Sequence, residues 1–478
     1  MKSNLTILDD TGGTGQYRFL FAANLLWPIL DKDEEIAVCK RFPYDPSFLA
    51  SFNTIMIQRW SLPMHRELFE TTILPATKAG MANLIYNIDD PVGTEIDGNG
   101  DGIPTFNRAH IHYSRPDVQD NIKFFLSATD FVMVTTNELK QYYIDRYDVD
   151  PNNFIIVPNM LPRSWAYGLF DSVEKVGIFT KRKSQKKIRV GLICSASHFN
   201  CHELKWSIEG HDPVNCAPNE NGIYESYVTH KTYKENEVEI IPDDIDDIID
   251  VIDKTSDKIE WISVGYGTSP HFKRLVKENK IKLVPQVDIA HYMQHINNLK
   301  FDAVIAPIKD TRFNHCKSDI KYLECSAVGT LLFAPNCLPY SEHVPKSQLW
   351  TSNENLIDKL LNLYSMKDEE YGAAIETQYM FLNQPMAHPG APVLRNMWLD
   401  DNLDIWKNIL FMPRNGIKIP IKSILATRQE QRSEQNVKNS LGISSNIPYM
   451  NDIESNIIEN DPHHGTVIDL SNSVEVNQ

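Results

Sequence analysis

Apolar positions follow two alternating patterns along most of the chain. Short runs of β-branched residues predict strands, and longer stretches with an apolar residue every three or four positions predict helices between them. This alternation is typical of parallel sheets joined by crossover helices. The first strands are predicted at Asn4–Leu8, Ile36–Cys39, Thr54–Gln58, Asn83–Asn87, Phe131–Thr135 and Phe154–Val157, and the helices at Gln16–Leu30, Pro63–Ala79, Pro116–Ala128 and Asn137–Tyr147.

A second series of the same kind follows a basic stretch at 181–187. Its predicted strands are Ile188–Cys194, Ile259–Val264, Ile281–Val284, Ala303–Ala306 and Leu331–Ala334, and its helices Asp244–Lys254, Ile289–Leu299 and Ser318–Val328. We therefore predict a first α/β domain over 1–165, a linker over 166–187 and a second α/β domain over 188–394, with a polar insertion at about 200–240. Two such domains imply a cleft, because ligands bind at the carboxyl ends of the strands.

The end of the chain differs from both domains. A helix at Arg395–Leu410, rich in Trp and Leu, lies in a segment (395–426) that is predicted to pack back on the first domain. From 427 to 478, Gln, Asn, Ser and Glu replace most large apolar residues. Such a segment buries too little surface to offset its chain entropy, so we predict a disordered tail.

Charge and cysteine content limit the possible classes of protein. The net charge of −16 over 478 residues argues against indiscriminate binding to polyanions, which would require a local basic patch. No stretch supplies the roughly 18 apolar residues of a membrane helix, and Asp9 and Asp10 come too early for a secretory signal. Seven cysteines, an odd number, are typical of reduced thiols. We predict a cytoplasmic protein without membrane insertion and leave its oligomeric state open.

The densest group of reactive side chains lies at 313–329, after the apolar strand Asp302–Pro307. Ser318 is predicted to cap a helix whose free N–H groups suit a phosphate. Lys317 and Lys321 would add charge-assisted bonds to a diphosphate, and Glu324 would accept hydrogen bonds from ribose hydroxyls. A solvated Lys/Glu helix face is the alternative, but the position after a buried strand favours binding.

These residues carry a family resemblance. The segments Asp302–Ala306, Phe313-Asn314, Lys317-Ser318, Lys321–Glu324, Gly329 and Pro339-Tyr340 resemble the donor-binding region of nucleotide-sugar glycosyltransferases with the GT-B fold, most closely the retaining E-x7-E family (glycosyltransferase family four-like). Val190–His198, Ile88–Asp90, Ala128–Asp130, Val134–Thr136 and Gly12–Arg18 resemble other parts of that fold. The resemblance spans most of 1–410, and the second-domain segment is its specific part.

The resemblance implies two Rossmann-like domains facing a cleft, and transfer of a sugar from a nucleotide diphosphate sugar to an acceptor hydroxyl, with retention. The nucleotide sugar is a co-substrate, and no cofactor or metal is required. The donor-binding residues implied are Gly13, Gly15, Arg18, Ser195, Ser197, His198, Lys317, Ser318, Lys321 and Glu324. The acceptor-side residues implied are Tyr17, Asp89, Asp90, His110 and His112.

The sequence departs from the family pattern at two places. Cys316 stands where the first Glu of E-x7-E is expected, which makes Asn314 or His315 candidates for that catalytic role beside Glu324. Ser197 and His198 stand where the family often places an Arg/Lys pair. For the glycine loop, a tight strand-to-helix turn is the alternative to phosphate binding, because the spacing matches neither the dinucleotide motif nor the P-loop.

The acceptor is left open by the sequence. One candidate is hydroxymethylated DNA, as for a phage-encoded enzyme, which needs a basic channel; the available charges are Arg163, Lys181–Lys187, Lys273, Arg274 and Lys277. The other is a glycan or a lipid-linked saccharide. An inactive sugar-binding or virion-associated protein with the same fold, and an epimerase or synthase, are the alternative functions.

Two segments resemble metal sites only in part. The cluster His198, Cys201, His202, His211 and Cys216 has no standard zinc-finger spacing. The loop Asp97–Gly102 begins like a calcium loop, but Arg108 occupies the position that needs a bidentate Glu. We predict no metal site.

Overall fold

The computed structural model describes residues 2–40, 45–91, 116–193, 244–265, 270–387 and 391–412, together with four short strands at Ile223–Glu225, Thr232–Lys234, Ile457–Ile458 and Val467–Ile468. In this part of the chain the predicted fold class is confirmed. Two parallel sheets with crossover helices form two Rossmann-like domains that face each other across a cleft.

The first domain is built on six parallel strands, β1 to β6, in the order β2-β1-β3-β4-β5-β6. Their bounds are Lys2–Ile7, Glu34–Cys39, Thr54–Gln58, Asn83–Asn87, Phe131–Val134 and Phe154–Ile156. The helices are α1 (Gly13–Gly15), a π-helical segment (Gln16–Leu20), α2 (Phe21–Leu26), α3 (Pro46–Ala50), α4 (Pro63–Leu68), a second π segment (Phe69–Ile73), α5 (Leu74–Gly80), α6 (Pro116–Ala128), α7 (Asn137–Tyr147) and α8 (Arg163–Ala166). Turns of 3-10 helix lie at Trp27–Ile29 and Pro151–Asn153.

The second domain carries the parallel order β11-β10-β7-β12-β13-β14. Its strands are β7 (Ile188–Ile193), β10 (Ile259–Val264), β11 (Ile281–Val284), β12 (Ala303–Ile305), β13 (Leu331–Pro335) and β14 (Leu349–Trp350). Its helices are α9 (Ser172–Ser184), α10 (Asp246–Thr255), α11 (Pro270–Lys277), α12 (Ile289–Leu299), α13 (Arg312–His315), α14 (Ile320–Val328), α15 (Asn353–Asn362) and α16 (Asp368–Phe381), with a 3-10 turn at Tyr340–Glu342. The strands at Ile223–Glu225 (β8) and Thr232–Lys234 (β9) pair with each other.

The predicted linker is instead largely helix. Asp171 caps α9 by accepting a hydrogen bond from the backbone N–H of Glu174, and Phe179 stacks on Tyr371 with ring centroids 3.9 Å apart. The basic residues at 181–183 form the last turn of α9, where cations are favoured by the helix dipole. The segment predicted as a linker therefore contains a helix, Ser172–Ser184, in which Lys175 and Phe179 are buried.

The predicted helix at Arg395–Leu410 begins later than expected. Its first part is a loop and a 3-10 turn at Leu399–Asn402, and the helix α17 covers Leu403–Leu410. Asn402 explains the delay, because its side chain bonds the backbone of Arg395, Asn396 and Trp398 and holds them out of a helix. The α17 helix contacts α2 of the first domain, and the Lys407 ammonium bonds Glu34 at 2.6 Å.

Most of the predicted tail, 427–478, lies outside the described residues. The two strands described there, β15 (Ile457–Ile458) and β16 (Val467–Ile468), pair with each other, and β16 adds to the first sheet beside β2.

The order of the strands determines where a ligand fits. In an open parallel sheet, ligands bind beyond the carboxyl ends of the strands, at the point where the strand order reverses. That point lies between β1 and β3 in the first sheet and between β7 and β12 in the second. Residues that follow both pairs of strands line the same cleft.

Candidate functional site

A cavity of about 410 Å³ lies between the two domains. Its volume is in the range of small-molecule sites. The first domain contributes Gly13, Thr14, Tyr17, Arg59, Asp89 and Asp90. The second contributes, among others, Pro307, Lys317, Ser318, Lys321 and Tyr340. Seven of the predicted site residues therefore line one cavity.

Lys317 is the cation best suited to an incoming anion. In the part of the chain that the structure describes, its ammonium makes no hydrogen bond or ion pair within bonding distance, and it lies 4.7 Å from the centre of the Phe313 ring. Burial lowers the pKa of Lys317, while Asp90 and Asp244 act in the opposite direction. A cation that is poorly solvated and lacks a partner gains most from a bound phosphate.

Glu324 lies beneath the cavity, where its carboxylate joins the two domains. Oε1 accepts a hydrogen bond from the hydroxyl of Tyr17 at 2.8 Å, and Oε2 accepts bonds from Tyr292 at 2.9 Å and Lys321 at 2.8 Å. Glu324 is only 5% exposed. Burial lowers the pKa of Lys321, but Glu324 and Tyr292 override this and hold it well above its ordinary value. The predicted ribose-binding carboxylate is therefore fully bonded within the protein.

A group of carboxylates surrounds Arg59 on the opposite wall. Its guanidinium lies 3.7 Å from Asp89 and 3.6 Å from Asp90, and it donates to the hydroxyl of Thr14 at 3.1 Å. Burial raises the pKa of Asp89 to about 6, opposed by Arg59 and assisted by Asp90. The first domain thus presents a wall that is rich in hydrogen-bond acceptors.

Arg18, which the resemblance assigns to the donor diphosphate, is buried in the first domain and does not line the cavity. It is 1% exposed, and its guanidinium donates to the side chain of Asn87 at 3.2 Å and the carbonyl of Val157 at 2.6 Å. Burial lowers its pKa to about 10. The same guanidinium lies 3.4 Å from Asn159, whose amide donates to Ser318 at 2.8 Å. Arg18 therefore supports a contact across the domain interface.

Ser318 does not cap the helix as predicted. The residue before α14 is Asp319, and the side chain of Asp319 makes no capping bond either, because it bonds Nδ1 of His343 at 2.7 Å. The hydroxyl of Ser318 instead accepts the bond from Asn159 and lines the cavity.

The two glycines of the predicted loop differ in their surroundings. Gly13 lines the cavity, and a Cβ added there meets nothing within 4 Å. A Cβ at Gly15 would lie 1.9 Å from the carbonyl oxygen of Asp10. Gly15 is therefore required by the tight turn, and only Gly13 faces a ligand.

The two candidates for the missing first Glu are not in the cavity. Asn314 is buried and donates to the carbonyl of Lys309 at 3.0 Å, while His315 bonds Asp310 at 2.5 Å and lines a smaller cavity of about 40 Å³. Both residues lie in the α13 turn, which Thr311 caps, and neither lines the larger cavity, so their catalytic role stays a prediction. Ser195, Ser197, His198, His110 and His112 lie outside the described residues, as do the His/Cys cluster and the loop Asp97–Gly102.

Sequence reasoning missed Arg59, Thr14, Asn159 and Tyr292. Arg59 comes directly after β3, and Asn159 comes three residues after the end of β6; a polar residue just past a strand is a signal that points to this edge. Arg59 also has a φ of 53°, in the left-handed region that residues other than glycine seldom adopt. Such backbone strain is more frequent at functional sites.

The described residues show neither a metal-binding cluster nor a membrane-spanning helix. No group of three or more His, Cys, Asp or Glu side chains there is arranged to hold a metal ion. Within the same residues, no helix has both the length and the apolar character to cross a membrane.

Comparison with known proteins gives only distant likenesses. No protein-family model and no curated protein sequence matches the chain. A glycosyltransferase from Rickettsia africae is 13% identical with a TM-score of 0.44, covering 86% of this chain and 98% of that one. Anabaena HepE in complex with UDP-glucose is 10% identical with a TM-score of 0.49, covering 85% and 100%. WaaG, a glycosyltransferase involved in lipopolysaccharide biosynthesis, is 10% identical with a TM-score of 0.48, covering 86% and 100%.

Proposed function

We propose that the protein is a glycosyltransferase that moves a sugar from a nucleotide diphosphate sugar to an acceptor hydroxyl. The observation that carries the proposal is the ammonium of Lys317, which has no hydrogen-bond or ion-pair partner among the described residues, in a cleft formed at the switch points of two doubly wound sheets. Cationic and hydroxyl side chains at the switch point of a parallel sheet can bind phosphate groups. The carboxylate-rich opposite wall suits the hydroxyls of a sugar or an acceptor.

In the proposed complex, Lys317 and Ser318 bind the diphosphate. The bond from the anomeric carbon to the phosphate oxygen breaks, its electron pair leaves with the nucleoside diphosphate, and Lys317 stabilises the charge that develops there. The acceptor oxygen bonds the anomeric carbon. For transfer with retention, attack comes from the face of the leaving group, whose phosphate oxygen takes the hydroxyl proton. Domain closure would exclude water from the donor.

Glu324 takes part by exchanging one hydrogen-bond donor for another. A ribose hydroxyl carries the same O–H group as the phenol of Tyr17, which now bonds Oε1 at 2.8 Å. We propose that the nucleoside displaces Tyr17 and that ribose then bonds Glu324. The same proposal includes transfer with retention. It also includes an acceptor that is either a saccharide or a hydroxymethylated base.

Replacing Lys317 with Ala tests the donor site. We expect the Kd for a nucleoside diphosphate to rise about 10- to 100-fold, because one bond to a charged group contributes about 1.5–3 kcal/mol. Titration calorimetry with UDP, ADP and GDP measures this. Lys346→Ala, at an exposed lysine of the same domain, is the matched control and is expected to bind as the wild type does.

The activity itself is tested with a panel of nucleotide sugars. Release of nucleoside diphosphate with at least one of them, dependent on Lys317, supports the proposal. Proton NMR of the product then reports whether the anomeric configuration is retained. Absence of both binding and release across the panel would show that the protein is not a glycosyltransferase, and nucleotide binding without release would favour an inactive sugar-binding protein.

A further inference from the structure

The wall of the cleft formed by the first domain carries more carboxylates than cations. Asp89 and Asp90 lie within 4 Å of Arg59, and both Arg59 and Asp10 act on the carboxyl group of Asp9. Asp9 and Asp10 follow β1 and lie outside the cavity lining, whereas Asp89 and Asp90 follow β4 and line it. Two lining carboxylates and the one guanidinium of Arg59 give this described wall a negative net charge.

Four of the cations that the sequence offers for a nucleic-acid channel form ion pairs. Proteins bind nucleic acid largely by neutralising phosphates with Lys and Arg. Arg163 pairs with Asp401, and Lys183 with Asp368. Arg182 and Arg274 pair with Asp302 and Asp253. None of these four lines the cleft, and neither do Lys181, Lys186, Lys187 and Lys277, so the described residues of the proposed set form no basic channel there.

Three cations among the described residues line the cleft, and two of them are paired. Arg59 lies against Asp89 and Asp90, and Lys321 bonds Glu324 at 2.8 Å. Lys317 is the third, and in the proposed complex its ammonium pairs with the donor diphosphate. No lining cation is then left for the phosphates of a second polyanion.

The same wall suits a neutral hydroxyl compound. Asp89 lines the cavity with its side chain 14% exposed; its Oδ1 is buried 3.7 Å from the Arg59 Nε and accepts no hydrogen bond from the described residues, while Thr14 bonds the carboxylate. A carboxylate that lacks its full set of donors gains a hydrogen bond when a ligand hydroxyl binds at its exposed edge. A sugar hydroxyl supplies that donor and brings no charge to the wall.

Resting on the proposed sugar transfer, we infer that Asp89 is a specificity-determining residue that bonds a hydroxyl of a neutral saccharide acceptor, while the surrounding carboxylates disfavour nucleic acid. Asp89 acts as an orienting acceptor in this step. The hydroxyl proton goes to the leaving phosphate, as in the transfer described above.

Asp89→Asn tests the assignment, and Asp120→Asn is its control, because it removes one negative charge from an exposed side chain of the first domain. With the full chain, a donor that turns over and a panel of methyl hexosides and neutral disaccharides, we expect Asp89→Asn to lower kcat/KM for the saccharide about 10- to 100-fold. Asp120→Asn is expected to leave it unchanged. The Kd for the nucleoside diphosphate is expected to stay within twofold in both.

The pH profile separates an orienting role from a merely structural one. The groups that face Asp89 are Arg59, Asp90, Arg18 and Thr14, and together with burial they set its pKa at about 6. Below that pH the carboxyl is protonated and accepts less well, so kcat/KM for the saccharide should fall about tenfold from pH 7.5 to pH 5. The fall should be absent in Asp89→Asn. If kcat/KM of Asp89→Asn falls between pH 7.5 and pH 5 as it does in the wild type, the assignment is wrong.

Duplex DNA containing 5-hydroxymethylcytosine is the competing acceptor. We expect neither its modification nor its binding, measured by fluorescence polarisation at 50 mM salt. If the protein turns over a nucleotide sugar but modifies only the DNA, the acceptor inference is wrong and the transfer function stands. If no nucleotide sugar binds or turns over, the proposed function itself is wrong.

Discussion

Replacing Glu324 with Ala is expected to lower the free energy of unfolding by about 3 kcal/mol, the lower end of the range for breaking a buried ion pair. The lower end applies because the side chain of Lys321 is 25% exposed, and water partly solvates the ammonium that is left behind. The variant also loses the acceptors of Tyr17 and Tyr292. Urea denaturation followed by circular dichroism measures the change.

A control and a double variant make this result specific. Glu376→Ala removes an exposed carboxylate of the same domain, and we expect a change within about 0.5 kcal/mol. Adding Lys321→Met to Glu324→Ala should recover part of the stability, because it removes the unpaired charge. Wild-type stability in Glu324→Ala would contradict the network, and loss of nucleotide binding without loss of stability would assign Glu324 to the ligand alone.

The sequence predicted the sheets well because parallel strands are buried on both faces and therefore read as short apolar runs. Because ligands bind beyond the carboxyl ends of parallel strands, the sequence also predicted that Gly13, Asp89 and Lys317 lie at the cleft between the two sheets.

The direction of individual side chains was less predictable. Arg18 lies in a π-helical segment, Gln16–Leu20, where the turn is wider than in an α-helix. Counting with the ordinary helical period therefore does not give the face on which Arg18 lies. The hydrogen bond between Tyr17 and Glu324 joins residues 307 positions apart. Pairings at that separation depend on how the two domains meet, which local patterns do not specify.

Gly15→Ala is expected to destabilise the first domain by about 3 kcal/mol, the upper part of the range for overpacking. The added Cβ would lie 1.9 Å from the carbonyl oxygen and 2.9 Å from the carbonyl carbon of Asp10. Both are backbone atoms, so the turn itself must shift. Differential scanning calorimetry should show the unfolding temperature of this domain falling by about 6–12 °C.

Gly13→Ala is the matched control, since it introduces the same methyl group two residues away, where nothing lies within 4 Å. Its stability should be unchanged or slightly higher, because Ala favours helix over Gly. Its methyl group does enter the cavity, so nucleotide affinity should fall in Gly13→Ala without a fall in unfolding temperature. Equal thermal losses in the two variants would contradict the assignment of Gly15 to the turn and of Gly13 to the ligand.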